Sequence, residues 1–448
     1  MSTSCAVSDR RAAIVTGSAL ALACFLIFNA NGREIGSYDS QPAKLLAVEI
    51  ATRHSFSLSH VVGRTPAFGE RPAFALDLRG NYRSAYPLPS SLAAAVFAWV
   101  LSTTHVVDLR APLSAAFVAK VTASALTALT VAFAFAAARR RASIGAAAFV
   151  ALALGLGTNL WAGVSQTLWQ QETAFCALML AIVVLAPDRG SLARAIAAGA
   201  LLGLAGWARP QLAPAIAVLA LSMPARWGGR AIAGWLPIGA LAALAIGINI
   251  RWFGHAFGAV PVLESLHPSI HRVSGSVSSA PWTAALGLLV SPSRGLLVFS
   301  PVVIFAAAGL PALRREGRRS DLAWCVAAAV TQFCAYALYA VWWGGHTFGP
   351  RYALDVLPPL VPLAAAGMPA LTARPLLRAA AIVALIWSVG VSALGAFVYP
   401  ADQWNNDPAD VDVYHERLWE WRDSQIPRAA RSPWSPQNFA FLENGALR

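Results

Sequence analysis

The segment Asn31-Gly-Arg-Glu-Ile-Gly-Ser-Tyr-Asp-Ser-Gln-Pro-Ala-Lys44 directly follows an apolar run at residues 12–30. Such a run is long enough to cross a bilayer as a helix, because about 20 apolar residues span the hydrocarbon core. The segment therefore brings two carboxylates and two cations to a membrane boundary: Glu34, Asp39, Arg33 and Lys44. Ionisable groups in this position indicate a functional site.

The composition is that of a polytopic helical membrane protein. Of the 448 residues, 57% are hydrophobic and 12% are charged, whereas a soluble domain carries about 25% charged residues. The net charge of +13 comes from arginines spread through loops between apolar runs. Membrane topology and anionic lipid head groups explain this pattern better than nucleic-acid binding. The five cysteines include no CxxC pair, so neither a disulfide framework nor a zinc site is predicted.

Apolar runs predict eleven transmembrane helices. They occupy residues 12–30, 114–137, 143–160, 173–185, 195–207, 212–224, 231–252, 295–310, 322–342, 352–368 and 379–398. The first run exceeds the ~7–15 apolar residues of a signal peptide, so a retained anchor with a cytoplasmic N-terminus is expected. Each predicted inner loop carries at least two basic residues. The expected organisation is a transmembrane domain at 1–400 and an extracytoplasmic tail at 401–448.

The polar region 31–112 is the predicted first outer loop. It contains two semi-apolar pieces, at 42–54 and 90–104. If the second piece spanned the membrane, Arg139-Arg140-Arg141 would lie outside, although basic loops favour the cytoplasm. A helix lying at the membrane interface avoids this conflict, so the loop is predicted to hold two juxtamembrane helices.

With this topology, polar and aromatic side chains collect at the outer face. Arginine binds phosphate through a bidentate, permanently charged fork. A positioned carboxylate can deprotonate an attacking hydroxyl, and aromatic rings can cover sugar faces. The pattern indicates transfer of a sugar from a lipid phosphate. The candidate residues beside Asp39 are Lys44, Tyr82, Arg83, Tyr86, Glu172, Arg209, Arg294, His346, Arg351 and Tyr352.

The layout resembles the GT-C superfamily of polyprenyl-phosphate-dependent glycosyltransferases, which includes protein O-mannosyltransferases and bacterial aminoarabinose transferases. Tyr38-Asp-Ser40 is similar to the acidic position that follows the first helix in that family. Gly80-Asn-Tyr-Arg-Ser-Ala-Tyr-Pro-Leu-Pro89 resembles the entry to its second juxtamembrane helix. The resemblance implies a catalytic role for Asp39 and contact between Arg83 and the donor phosphate.

Later motifs extend the resemblance to residues 10–400. Arg209-Pro210 is similar to the family's basic-Pro pair, and the segments 291–301 and 349–352 resemble bacterial members. The second acidic position falls at or near Glu172. Here the chain reads Gln170-Gln-Glu172, whereas relatives commonly have an aspartate, which weakens both the second acidic role and any metal role. A divalent ion held by Asp39 and Glu172 remains an alternative to metal-free chemistry.

Each candidate also has a structural explanation. Asp39 could cap a helix that begins near Pro42, and Glu172 could be a favourable charge at a helix N-terminus. The arginines could extend from the membrane to its interface, as could Lys120 within the second predicted helix. The histidines at 255, 267 and 271 fit a polar loop, because no other metal-ligand pattern accompanies them.

The expected function is an inverting membrane glycosyltransferase of the bacterial inner membrane and cell envelope. It would move a sugar from a polyprenyl-phosphate donor to a lipid, glycan or protein acceptor on the extracytoplasmic side. One alternative is a transporter or flippase of lipid-linked sugars, which predicts ionisable residues near the bilayer midplane and an internal repeat. The charges lie mostly at the ends of apolar runs instead. A non-catalytic assembly protein, the second alternative, would tolerate replacement of Asp39.

Overall fold

The computed structural model describes residues 3–111, 113–259, 277–399 and 403–443. These residues form helices and one small antiparallel hairpin of β1 (Phe74–Leu76) and β2 (Tyr82–Ser84). The α-helices are α1 (Thr3–Asn29), α2 (Gln41–Arg53), α3 (Ser59–Arg64), α4 (Pro89–Thr103), α5 (Ser114–Ala138), α6 (Ile144–Gly155), α7 (Gln171–Leu185), α8 (Leu192–Ala208), α9 (Ala213–Trp227), α10 (Trp235–Phe253), α11 (Pro281–Val290), α12 (Leu296–Phe299), α13 (Leu310–Glu316), α14 (Asp321–Ala337), α15 (Leu357–Ala373), α16 (Pro375–Phe397), α17 (Gln425–Arg431) and α18 (Ala440–Glu443).

The protein is an integral membrane protein. Five helical stretches of the described residues are long and apolar enough to cross a membrane. They are Asp9–Asn29, Ser114–Ala138, Gly229–Phe253, Ala353–Ala373 and Pro375–Phe397. Shorter apolar helices, among them α6, α7, α8 and α14, pack between them. The total of eleven spans stays a prediction.

The predicted helix at 295–310 is wrong as a single element. The chain instead forms α12, a 3-10 segment at Pro301–Gly309 and then α13. Pro301 has no backbone N–H and cannot continue the hydrogen-bond ladder of α12. The helix α11 was not predicted, and α15, predicted to begin at residue 352, begins at Leu357 after a 3-10 turn at Ala353–Val356.

The two helices predicted in the first outer loop are present as α2 and α4. Proline at the first turn of each helix removes a backbone N–H that would have no intrahelical partner. The two helices pack against each other through small residues, including Ala43, Ala47, Ala94 and Ala98. Leu168, from the loop before α7, joins the same cluster. This packing brings the starts of α2, α4 and α7 together.

Close helix approach depends on glycine in the membrane region. A Cβ atom at Gly199 of α8 would lie 1.8 Å from the carbonyl oxygen of Gly234, which precedes α10. Small residues allow such backbone contact in lipid, where the hydrophobic effect does not drive helices together. The contact fixes α10 beside α8.

The C-terminal segment 403–443 packs on the segment that follows α1. The backbone N–H groups of Phe439 and Phe441 donate to the carbonyls of Asn31 and Gly32, at 2.9 and 3.0 Å. Trp404 of the same segment is fully buried. The start of the segment that follows α1 is therefore held in place by the C-terminal segment.

Candidate functional site

A small polar cavity lies where four separate segments meet. Its walls include Asp39 before α2, Tyr86 before α4, Gln170 before α7 and Arg351 before the turn at Ala353–Val356. The empty space among these side chains, with the adjoining open solvent, is about 290 Å³. The other lining residues are Ala43, Pro87, Ser90, Leu168 and Trp169. Three of the predicted site residues, Asp39, Tyr86 and Arg351, thus share one cavity.

The side chain of Asp39 is not a helix cap. Ser37 caps the 3-10 turn instead, because its hydroxyl accepts from the Asp39 N–H at 3.1 Å and the Ser40 hydroxyl accepts from the Ser37 N–H at 3.2 Å. Tyr86 lies beside the Asp39 carboxylate in the cavity, and its hydroxyl interacts with that carboxylate. Burial raises the pKa of Tyr86 well above its ordinary value, and the adjacent Asp39 raises it further. Tyr86 is therefore a neutral donor that orients the Asp39 carboxylate.

Arg351 brings a positive charge to the cavity, and this charge forms no ion pair with a described carboxylate. Its guanidinium lies 4.9 Å from the centre of the Trp169 ring, a cation–π distance. Its Nε is buried without a hydrogen-bond partner. Gln171 holds the backbone by donating to the Arg351 carbonyl at 3.0 Å. A half-buried guanidinium without an ion-pair partner among the described residues favours an anionic ligand.

Glu172 lies behind the cavity wall and does not line it. It is fully buried, and its Oε2 accepts from the Trp169 N–H at 2.9 Å. It also interacts with the hydroxyl of Ser90 at the start of α4. Gln170, between Trp169 and Glu172, has a φ of +76°, a backbone conformation that is uncommon for residues other than glycine. Glu172 thus fixes a strained loop of the cavity wall.

Tyr352 and Arg209 support the Arg351 region but do not line the cavity. The ring of Tyr352 stacks on Tyr336 with centroids 4.7 Å apart, and the Arg209 guanidinium lies 5.9 Å from the Tyr352 ring. Arg209 Nε donates to Asp355 Oδ2 at 2.7 Å, and both side chains are buried. Because Asp355 neutralises Arg209, this arginine supports the site from within the protein and is not free for a phosphate.

Lys44 also has a protein partner. It pairs with Glu34, whose other oxygen accepts from the Thr167 hydroxyl. Next to this pair, Gln166 accepts from both Asn31 and Lys120. These contacts fasten the segment after α1 to the loop before α7, and both of these segments contribute residues to the cavity wall.

Arg83 and Tyr82 lie away from the cavity. Arg83 Nε donates to Asp77 at 2.8 Å, and its guanidinium lies 4.7 Å from the ring of Trp252. Tyr82 precedes Arg83 in the hairpin and packs against an apolar cluster that contains Leu46 and Phe74. None of these contacts places Arg83 or Tyr82 at the cavity.

Arg294 and His346 are bound to the C-terminal segment. Buried Arg294 donates to the carbonyls of Ser293, Trp343 and Gly345 and to the side chain of Asn405. His346 faces two aspartates of the segment 403–443. Of the histidines expected in a polar loop, 267 and 271 lie outside the described residues. His255 packs against Phe257, with ring centroids 5.6 Å apart.

Sequence reasoning missed Gln170, Trp169 and Asp355. Asp355 carried a usable signal, because an acidic residue inside an apolar run needs a buried partner, here Arg209. Gln170 and Trp169 carried none, because their role depends on the loop conformation.

The fold is similar to that of a solved membrane protein structure. No family model and no curated protein matches the chain. Among solved structures, ArnT from Cupriavidus metallidurans bound to undecaprenyl phosphate is similar over 95% of this chain and 77% of that chain, with 14% identity and a TM-score of 0.53. The oligosaccharyltransferase AglB from Archaeoglobus fulgidus, in complex with an inhibitory peptide and a dolichol-phosphate, has 13% identity and a TM-score of 0.44 over 94% of this chain and 61% of that chain.

Proposed function

We propose that the protein is a membrane glycosyltransferase. It transfers a sugar from a polyprenyl-phosphate donor to an acceptor hydroxyl on the extracytoplasmic face of a bacterial inner membrane. The observation that carries this proposal is the cavity in which the oriented carboxylate of Asp39 faces the same space as the unpaired cation of Arg351. The similarity of the fold to that of ArnT supports it.

The proposed reaction is a single displacement with inversion. The donor phosphate binds to Arg351, since a guanidinium fork matches phosphate oxygens. The acceptor hydroxyl oxygen attacks the anomeric carbon, and its proton passes to the Asp39 carboxylate. The bond between the anomeric carbon and the phosphate oxygen breaks, and its electron pair leaves with the polyprenyl phosphate. Arg351 also stabilises the charge that grows on this leaving group.

The remaining cavity residues position these two groups. Tyr86 orients Asp39 through its hydroxyl, and Trp169 supports the guanidinium of Arg351. Glu172 fixes the loop that contains Trp169. This assigns Glu172 a positioning role, and no step of the reaction requires a metal ion bridging Asp39 and Glu172.

Binding of undecaprenyl phosphate to the purified protein tests the phosphate assignment. Arg351→Gln removes the unpaired cation, and hydrogen bonds to charged groups contribute roughly 1.5–3 kcal/mol. Affinity is expected to fall about 10- to 100-fold, measured by native mass spectrometry or by a fluorescent competitor. Arg83→Gln is the matched control, because Arg83 already pairs with Asp77, and it is expected to bind like the wild type. Equal losses in both variants, or no binding to the wild type, would overturn the assignment.

A further inference from the structure

His346 lies in the loop after α14 and faces two carboxylates of the C-terminal segment. Its Nε2 is 2.9 Å from Asp410 Oδ1 and 3.5 Å from Asp412 Oδ2. One ligand atom from each of the three side chains lies within 4.8 Å of the other two. Among the described residues, no lysine or arginine forms an ion pair with either aspartate. The two negative charges are therefore left facing a single imidazole.

The three side chains lie close enough together to be ligands of one ion, and His346 Nε2 and Asp410 Oδ1 are at hydrogen-bond distance without it. Zinc binds histidine nitrogen and carboxylate oxygen at about 2.0–2.2 Å, so tetrahedral ligands of one ion lie roughly 3.4 Å apart. The distances of 2.9 and 3.5 Å from His346 Nε2 bracket that value. Small adjustments of the side chains would place all three donor atoms around a common centre.

Neighbouring contacts hold two of the donors in place. The Oδ1 atom of Asp412, which does not face His346, accepts from Trp343 Nε1 at 2.6 Å. Such outer contacts are typical of metal sites, where they orient the ligands. Gly344 and Gly345 have φ values of +76° and +73°, which lets the chain turn sharply just before His346. The imidazole is thereby directed at the C-terminal segment.

We propose that His346, Asp410 and Asp412 bind a divalent transition-metal ion of the zinc class. One imidazole nitrogen and two carboxylate oxygens leave a fourth position for water. The ion fastens the C-terminal segment to the loop that ends at Arg351. Its role is to hold that loop, and it lies outside the cavity that contains Asp39.

Zinc titration of the full-length, tag-free protein tests this site. After treatment with a chelator, the wild type is expected to bind one equivalent of Zn²⁺ by calorimetry and by elemental analysis. His346→Ala and the double variant Asp410→Asn/Asp412→Asn are expected to lose this equivalent. Zinc should also raise the melting temperature of the wild type and not that of His346→Ala.

The matched control is His60→Ala. His60 Nδ1 lies 3.1 Å from a single carboxylate, that of Glu49, so it forms a histidine–carboxylate pair without a third ligand. Zinc binding should be unchanged in this variant. If the wild type binds no zinc, or if His346→Ala binds it as tightly as the wild type, the proposed site is refuted. Melting temperatures measured without metal show that each variant is folded.

Discussion

Asp355→Asn is expected to destabilise the protein strongly. Asp355 is fully buried and accepts from Arg209 at 2.7 Å, and Arg209 itself is only 1% exposed. Tyr336 donates its hydroxyl to the same carboxylate oxygen. Asparagine has nearly the same size but no charge, so it would leave the guanidinium buried without a counterion.

The size of the effect follows from burial. Removing one partner of a buried ion pair costs about 3–5 kcal/mol, because a charge stays in a low-dielectric environment. This corresponds to roughly two to four orders of magnitude in the ratio of folded to unfolded protein. An exposed pair contributes about 0–1 kcal/mol. Asp9, 61% exposed in its pair with Arg139, provides the control variant Asp9→Asn.

Thermal denaturation of the detergent-purified protein measures both variants. Asp355→Asn should lower the midpoint several times more than Asp9→Asn does. The double variant Arg209→Met/Asp355→Leu should recover much of the loss, because apolar residues of similar volume can replace a buried pair. If Asp355→Asn and Asp9→Asn have the same melting midpoint, the account of Arg209 as a buried support neutralised by Asp355 is refuted.

Two further predictions concern ionisable groups outside the cavity. Burial raises the pKa of Asp77, but hydrogen bonds from Asn81, Arg83 and Arg79 outweigh it and lower the pKa below 3.8. The wild type should therefore melt at a higher temperature than Asp77→Asn above pH 3.8. This difference in melting temperature should disappear as the pH falls through the lowered pKa of Asp77. Lys120 is 1% exposed and bonds to a neutral amide, so Lys120→Met should leave the melting temperature unchanged or raise it, and a clear drop would contradict this.

The sequence predicted the helical elements well, because apolar runs and proline at helix starts act locally. The helices α2 and α4 were predicted within one residue at each end. The segment 295–316 was not, because its apolar run continues through Pro301 while the backbone hydrogen bonds do not. Hydropathy alone does not register that interruption.

The candidate site was predictable in part. The sequence placed Asp39 and Arg351 in outer loops, but it could not decide which arginine remains unpaired. That depends on tertiary partners: Asp77 for Arg83 and Asp355 for Arg209. Sequence likewise could not separate a capping aspartate from a catalytic one, because the choice depends on which side chain meets the free backbone N–H groups.

The comparison of Asp39→Asn with Ser37→Ala tests the central claim. Release of polyprenyl phosphate from a lipid-linked sugar donor is the readout, in protein of matched folding. Loss of a general base lowers a rate about 10²–10⁴-fold, so Asp39→Asn should lose at least 10²-fold with little change in melting temperature. Ser37→Ala removes the cap, at a cost of about 1 kcal/mol in stability, and should keep its activity. Transfer by Asp39→Asn at the wild-type rate would contradict the account.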